Sequence, residues 1–145
     1  MESKGPEEDE RSALQRIAAL NVAQRLALAM KGSREERAIL IRDPNKIVAV
    51  AVLASPKMSD SEIESIAKMA SVSDEILRII ANTRQWMKRY SVMAALARNP
   101  KTPVAISMNL LPRLTEKDLR TLSSDRNVPE VLRITARQKI VLQKK

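Results

Sequence analysis

Arg98-Asn99-Pro100-Lys101-Thr102-Pro103-Val104-Ala105 is the second writing of a phrase that first occurs 56 positions earlier, as Arg42-Asp43-Pro44-Asn45-Lys46-Ile47-Val48-Ala49. The correspondence continues downstream. Pro56-Lys57 matches Pro112-Arg113, Ser59 and Glu62 match Thr115 and Asp118, and Ile63 and Ile66 match Leu119 and Leu122. After a one-residue deletion, Glu75-Ile76-Leu77-Arg78-Ile79-Ile80-Ala81 matches Glu130-Val131-Leu132-Arg133-Ile134-Thr135-Ala136. A fixed period that carries prolines, caps and apolar pairs in one register is the signature of a stacked repeat. One such unit cannot bury its own apolar face, so copies stack on a shared core, and arrays of this kind work mostly as binding surfaces.

The local chemistry of the repeat is helical. Proline is accepted in the first turn of a helix and breaks one elsewhere, so Asp43-Pro44 and Asn99-Pro100 end one helix and prepare the next. Thr102-Pro103 predicts an N-cap followed by a first-turn proline. Ser59 with Glu62, and Thr115 with Asp118, stand at capping-box spacing, the Asp being one methylene shorter than the usual Glu. Ile63/Ile66 and Leu119/Leu122 are inward pairs three residues apart. Residues 46–54 alternate β-branched and small residues and read as helix or strand; the duplicate at 103–106 is less strand-like and favours helix.

Upstream, Leu14, Ile17 and Ala18 share one helical face, Asn21 caps a helix containing Val22, Leu26 and Met30, and Lys31-Gly32 marks its end. A further helix is expected near 34–42. The expectation is therefore an all-α chain of seven or eight short helices, none able to persist alone. Residues 1–10, MESKGPEEDE, lack apolar periodicity and read as a disordered acidic tail. Residues 11–145 read as one helical-repeat domain. It comprises capping helices over 11–32, a first repeat over 33–81, and a second repeat with a C-terminal cap over 82–145.

Composition removes several function classes. The chain has no Cys and no His, which excludes disulfides, Cys- or His-ligated metals and Ser-His-Asp triads. Only two glycines are present, Gly5 and Gly32, too few for a glycine-rich phosphate loop. No cofactor or metal is expected. There is no apolar run of about 18 residues to span a membrane, and the acidic N-terminus is unlike a secretory signal, so a cytoplasmic location is expected. With no Phe, one Trp and one Tyr, the core must be built from Ala, Leu, Ile, Val and Met. The net charge of +9 is unevenly spread: residues 84–145 hold fourteen bases against four acids. A basic half of this kind implies an acidic partner.

Leu96-Ala97-Arg98-Asn99-Pro100-Lys101-Thr102-Pro103 resembles the L-A-x-N-P-x-T-P signature of variant leucine-rich repeats. Asp125-Arg126-Asn127-Val128-Pro129-Glu130 with Arg133 resembles the D-x-N-V-P-E-x-x-R segment that follows it. Both belong to the wider HEAT-like class, and the chain is similar to small bacterial HEAT-like proteins. The resemblance is clear over residues 90–137 and weaker over 42–81, where Lys46-Ile47 replaces Thr-Pro and Val72-Ser73 replaces Val-Pro. It implies a right-handed α-solenoid of short antiparallel helices, two copies of a unit of 56 residues, and a binding role. It implies no catalytic residue.

Candidate contact residues follow from the charge. Asn82-Thr83-Arg84-Gln85-Trp86-Met87-Lys88-Arg89-Tyr90 carries both aromatics and three bases. A nucleobase stacked on Trp86 or Tyr90, with Arg84, Lys88 and Arg89 on phosphates, is one reading. On a continuous helix Arg84 and Lys88 share a face that Trp86 does not. The competing reading makes Trp86 and Tyr90 an i, i+4 pair wedged between the repeats. Arg133 and Arg137 form an i, i+4 basic stripe, while Arg98, Lys101, Arg113 and Arg126 stand at helix ends, either as a contact surface or as favourable charges at helix C-termini.

Three functions remain in order of preference. The first is a non-enzymatic interaction module or adaptor that binds an acidic protein through its basic second half. The second is sequence-nonspecific binding of duplex DNA or structured RNA. The third is a HEAT-like DNA glycosylase, for which Asp125 beside Arg126 is the one candidate acid.

Overall fold

Each break in the sequence ends one helix and starts another. The computed structural model describes residues 6–143. The chain is all-helical, 71% helix, with no strand among the described residues. Eleven α-helices follow one another: α1 (Pro6–Ala18), α2 (Val22–Lys31), α3 (Arg34–Leu40), α4 (Lys46–Leu53), α5 (Asp60–Ala67), α6 (Asp74–Ala81), α7 (Arg84–Met87), α8 (Tyr90–Arg98), α9 (Val104–Leu110), α10 (Glu116–Ser123) and α11 (Glu130–Gln143). A 3-10 turn, Leu111–Arg113, extends α9. The number exceeds the seven or eight expected, in part because residues 82–90 are not one helix. α7 stops at Met87 and α8 starts afresh at Tyr90. The alternating segment 46–54 is helical, capped by Asn45, whose side chain accepts from the N–H groups of Ile47 and Val48.

The acidic segment 1–10 overlaps α1: its backbone is helical from Pro6, and residues 1–5 lie outside the described residues. The chain divides into two compact units between Ser59 and Asp60. This division falls inside the first copy of the duplication, not between the copies. In the N-terminal unit, α2 packs on α3 and α4, and α1 on α3. Its core is Ala29, Leu40, Ile41, Val48 and Val52. In the C-terminal unit α8 packs on α5, α6, α7 and α9, and α11 packs on α9 and α10. Its core is Ile63, Ile76, Leu77, Ile80, Leu96, Leu119 and Leu122. Both cores are aliphatic, and each fully buried Leu or Ile contributes about 1.5–3 kcal/mol.

Helix entry is set by side chains that satisfy free N–H groups. Asn21 and Gln24 form a complete capping box at α2, and Ser33 and Glu36 form another at α3. Gly32 ends α2 by close approach: its N–H donates to the Leu28 carbonyl at 2.7 Å, and a Cβ there would lie 2.5 Å from the same oxygen.

Three of the helix breaks share one device. Asp43, Asn99 and Asp125 each donate their backbone N–H to the leucine three residues earlier: Leu40 at 3.0 Å, Leu96 at 3.2 Å and Leu122 at 3.1 Å. Each Oδ1 then accepts from the N–H two residues later, that of Asn45, Lys101 or Asn127, at 2.9 Å. This is an Asx turn, a local side-chain substitute for a backbone turn.

The remaining polar atoms of the first two explain the choice of Asp or Asn. Asp43 faces a cation, with Arg25 Nε 3.0 Å from its Oδ2, close enough for an ion pair but out of line for a hydrogen bond. The same guanidinium donates to the Leu20 carbonyl at 2.7 Å. Asn99 faces carbonyls instead. Its Nδ2 donates to Ala67 O at 2.8 Å and Met69 O at 2.9 Å, closing the C-terminal end of α5. A carboxylate suits the first site and a two-donor amide the second.

Thr102 departs from expectation. It does not cap α9. That helix begins at Val104, with extended Pro103 as the half-in residue whose carbonyl accepts from Ile106 and Ser107. The Thr102 hydroxyl is buried with no hydrogen-bond partner. Two outcomes follow for urea unfolding. Thr102→Val, which removes an unsatisfied hydroxyl at constant shape, should leave stability unchanged or raise it by up to about 1 kcal/mol; an N-cap would instead show a loss of about 1 kcal/mol. Asn99→Asp, which sets a buried carboxylate against two carbonyls, should cost about 2 kcal/mol or more, and unchanged stability would mean that the amide is not the link between α5 and α8.

Candidate functional site

The C-terminal unit carries a groove of about 630 Å³ beside α8. Small residues, Ser91, Ala94 and Ala95, form the part of its lining that belongs to the body of α8. Tyr90 stands at the helix start, and Arg98, Asn99 and Pro100 stand at its end. Glu64 and Lys68 of the α5 region, with Asp118 and Asp125, complete it. The groove therefore gathers two Asx turns, those of Asn99 and Asp125, and its charge is nearly balanced, with three carboxylates and two bases. Glu64 and Lys68 pair at 3.4 Å across one helical turn.

Tyr90 is committed to the fold through its hydroxyl. Thr115 caps α10, its Oγ1 accepting from Asp118 N–H at 3.2 Å. A full capping box would return the Asp118 carboxylate to the Thr115 N–H, but Asp is one methylene too short. The phenol bridges the gap: the Thr115 N–H donates to Tyr90 Oη at 2.9 Å, and Tyr90 donates to the Asp118 carboxylate. The ring remains exposed. Trp86 is half-buried on α7. The two aromatics belong to different helices, α7 and α8, so they are not an i, i+4 pair on one continuous helix.

The bases separate into two groups. Arg89 pairs with Asp60 at 3.4 Å, both exposed. Arg133 donates to Val128 O at 2.7 Å and lies 3.5 Å from Asp125 O, and Arg137 donates to Ser123 O at 3.1 Å. The i, i+4 stripe on α11 is thus turned back onto main-chain carbonyls, Arg137 at the C-terminal end of α10, where a cation meets a free carbonyl favourably, and Arg133 in the loop that follows it. Arg113 does the same for α7, its guanidinium 3.4 Å from Met87 O. By contrast, Arg84, Lys88, Arg98, Lys101 and Arg126 are exposed and form no side-chain hydrogen bond or ion pair with any described residue. Arg98 and Lys101 flank one Asx turn, and Arg126 lies in the next.

Asp125 is half-buried, its Oδ1 engaged by the Asn127 N–H. Among the described residues no group of His, Cys, Asp or Glu is arranged to hold a metal ion, and no helix is long and apolar enough to cross a membrane.

Tyr90→Phe removes the bridging oxygen and should cost about 1 kcal/mol in urea unfolding, a typical net hydrogen-bond contribution. Unchanged stability would mean that the phenol is not part of the α10 cap.

Comparison with known proteins finds no matching family model, no matching curated protein and no matching solved structure.

Proposed function

We propose that this chain is a non-enzymatic helical-repeat adaptor, an α-solenoid built on the 56-residue duplication, that binds an acidic protein segment through the basic residues of its second half. One observation carries the reading: Arg84, Lys88, Arg98, Lys101 and Arg126 are exposed and uncommitted, while Arg89, Arg113, Arg120, Arg133 and Arg137 are engaged by carboxylates or main-chain carbonyls. The positions equivalent to Lys101 and Arg126 in the first copy are Asn45 and Ala70, whereas Arg98 has a basic counterpart, Arg42, so Lys101 and Arg126 are the bases that distinguish the second copy.

A protein is favoured over nucleic acid by the charge around Arg98. A phosphate backbone presents a continuous row of charges and favours a track of bases, whereas this groove interleaves Glu64, Asp118 and Asp125 with its bases. A polypeptide can space its acids to meet Arg98 and Lys101 and avoid those carboxylates. The half-buried Trp86 and the tethered Tyr90 make a poor stacking platform for single strands. Those same carboxylates are the opposite of the basic cleft that a lesion enzyme using Asp125 would need.

The test is binding of fluorescein-labelled polyglutamate and of labelled mixed-sequence duplex DNA, at low and physiological salt. Polyglutamate should bind, and Arg98→Glu with Lys101→Glu should weaken it about tenfold, or roughly 1.4 kcal/mol, with helicity unchanged by circular dichroism. Tighter DNA binding with a steep salt dependence, or polyglutamate binding unaffected by the double variant, would contradict the reading.

A further inference from the structure

Helix α11 has two apolar faces. Leu132 and Ala136 are buried against the unit, whereas Val131, Ile134, Val141 and Leu142 are 49%, 43%, 59% and 65% exposed. At about 100° per residue these four fall within one stripe, with Gln138 in its middle. Scattered exposed apolar residues need no explanation, but a contiguous stripe marks a contact surface.

The duplicate helix indicates what covers such a stripe. In α6, Ile76 stands where Val131 stands in α11, and Ile80 where Thr135 stands. Both are 0% exposed. α6 packs on α7 and α8, which follow it, and on α5, which precedes it. The main packing of α11 is on α9, the 3-10 turn and α10, all of which precede it. Of the stripe, Val131 thus corresponds to the fully buried Ile76 and Ile134 to the half-buried Ile79, while Val141 and Leu142 lie beyond the length of α6.

We propose that this outer face of α11 docks an amphipathic helix of a partner protein, with an apolar stripe of about three turns bordered by carboxylates. The proposal shares with the reading above only the acidic character of the partner and goes beyond it, naming a different face and the partner's conformation. Charge fixes the choice of occupant. Helical spacing puts Arg137, whose guanidinium also donates to Ser123 O, along one edge of the stripe and Lys139 along the other, and neither forms an ion pair with a described residue. A second copy of this chain fits poorly, because an antiparallel two-fold pairing centred on Gln138 sets Arg137 against the Arg137 of the other copy. A helix with acids beside its stripe meets both edges with opposite charge.

The experiment uses the full chain and three labelled probes: a helical peptide with leucines at i, i+3, i+4 and i+7 bordered by glutamates, a scramble of it that destroys the stripe, and polyglutamate. The helical peptide should bind at least about tenfold more tightly than its scramble. Val141→Ser with Leu142→Ser, both well exposed, should abolish that difference with the thermal midpoint unchanged, and Ile134→Ser should act in the same direction. Polyglutamate binding should be untouched by these variants. Equal binding of helix and scramble, or a preference that survives the serine variants, overturns the proposal. If polyglutamate binding still depends on Arg98 and Lys101 in that case, the acidic-partner reading stands without it. Conversely, stripe-dependent helix binding without polyglutamate binding keeps the docking face and removes the junction bases as a general acid site. Sedimentation that finds a dimer lost on Val141→Ser with Leu142→Ser would assign the face to a second copy and also overturn the proposal.

Discussion

The Asx side chains at three helix breaks are the constraint on which the rest depends. A chain of helices averaging two turns exposes many unpaired N–H and C=O groups at its ends, and none of these helices is long enough to hold itself together. Asp43, Asn99 and Asp125 solve the problem locally by turning the backbone through an Asx turn three residues after a fully buried leucine. In two of the three the remaining polar atoms also reach a different helical segment. Asn99 satisfies the carbonyls of Ala67 and Met69, and Asp43 pairs with Arg25. The identity of the residue follows from what it faces, a cation in one case and two carbonyls in the other.

The same logic sorts the basic residues. Cations near the ends of short helices are drawn to unpaired carbonyls, and Arg37, Arg113, Arg133 and Arg137 all donate to or lie against main-chain oxygens. Arg84, Lys88, Arg98, Lys101 and Arg126, on or next to α7 and in or beside the Asx turns after α8 and α10, remain uncommitted, as do Lys117 on α10 and Lys139 on α11. The fold thus uses part of the positive charge of its second half and presents the rest. The groove beside α8 is not a simple basic trough, because Asp118 and Asp125 sit in it for structural reasons, one in the α10 cap and the other in its own turn.

Much of the helical framework was legible in the sequence. Asn21, Gly32, Thr115 and the proline breaks lie where helix ends occur, and the duplicated phrase aligns α3 with α8 and α5 with α10 at the 56-residue spacing. Other features were not legible, for identifiable reasons. Thr102-Pro103 has the composition of a cap, but Pro103 adopts an extended backbone and pushes the helix start to Val104, leaving the hydroxyl inside. Residues 82–90 carry no glycine or proline, so nothing local announced the break at Lys88-Arg89. The role of Tyr90 depends on Thr115 and Asp118, far away in sequence; the one hint was the Asp at the last position of the capping box, too short to close it. Arg133 and Arg137 looked like a surface stripe because spacing along a helix does not reveal which carbonyls lie within reach of a flexible guanidinium. The third Asx turn, at Asp125, lies outside the simple duplication, since its counterpart in the first copy is Met69.

The most direct test of this account is the Asn99 side chain in solution. Both Nδ2 protons should appear as separate, shifted signals in a nitrogen–proton correlation spectrum and should exchange with solvent far more slowly than those of the exposed Asn21, because each is donated to a carbonyl at the end of α5. If the Asn99 side-chain protons instead exchange as rapidly as those of Asn21, the amide does not join α5 to α8, and the break after Arg98 is held by something other than its Asx residue.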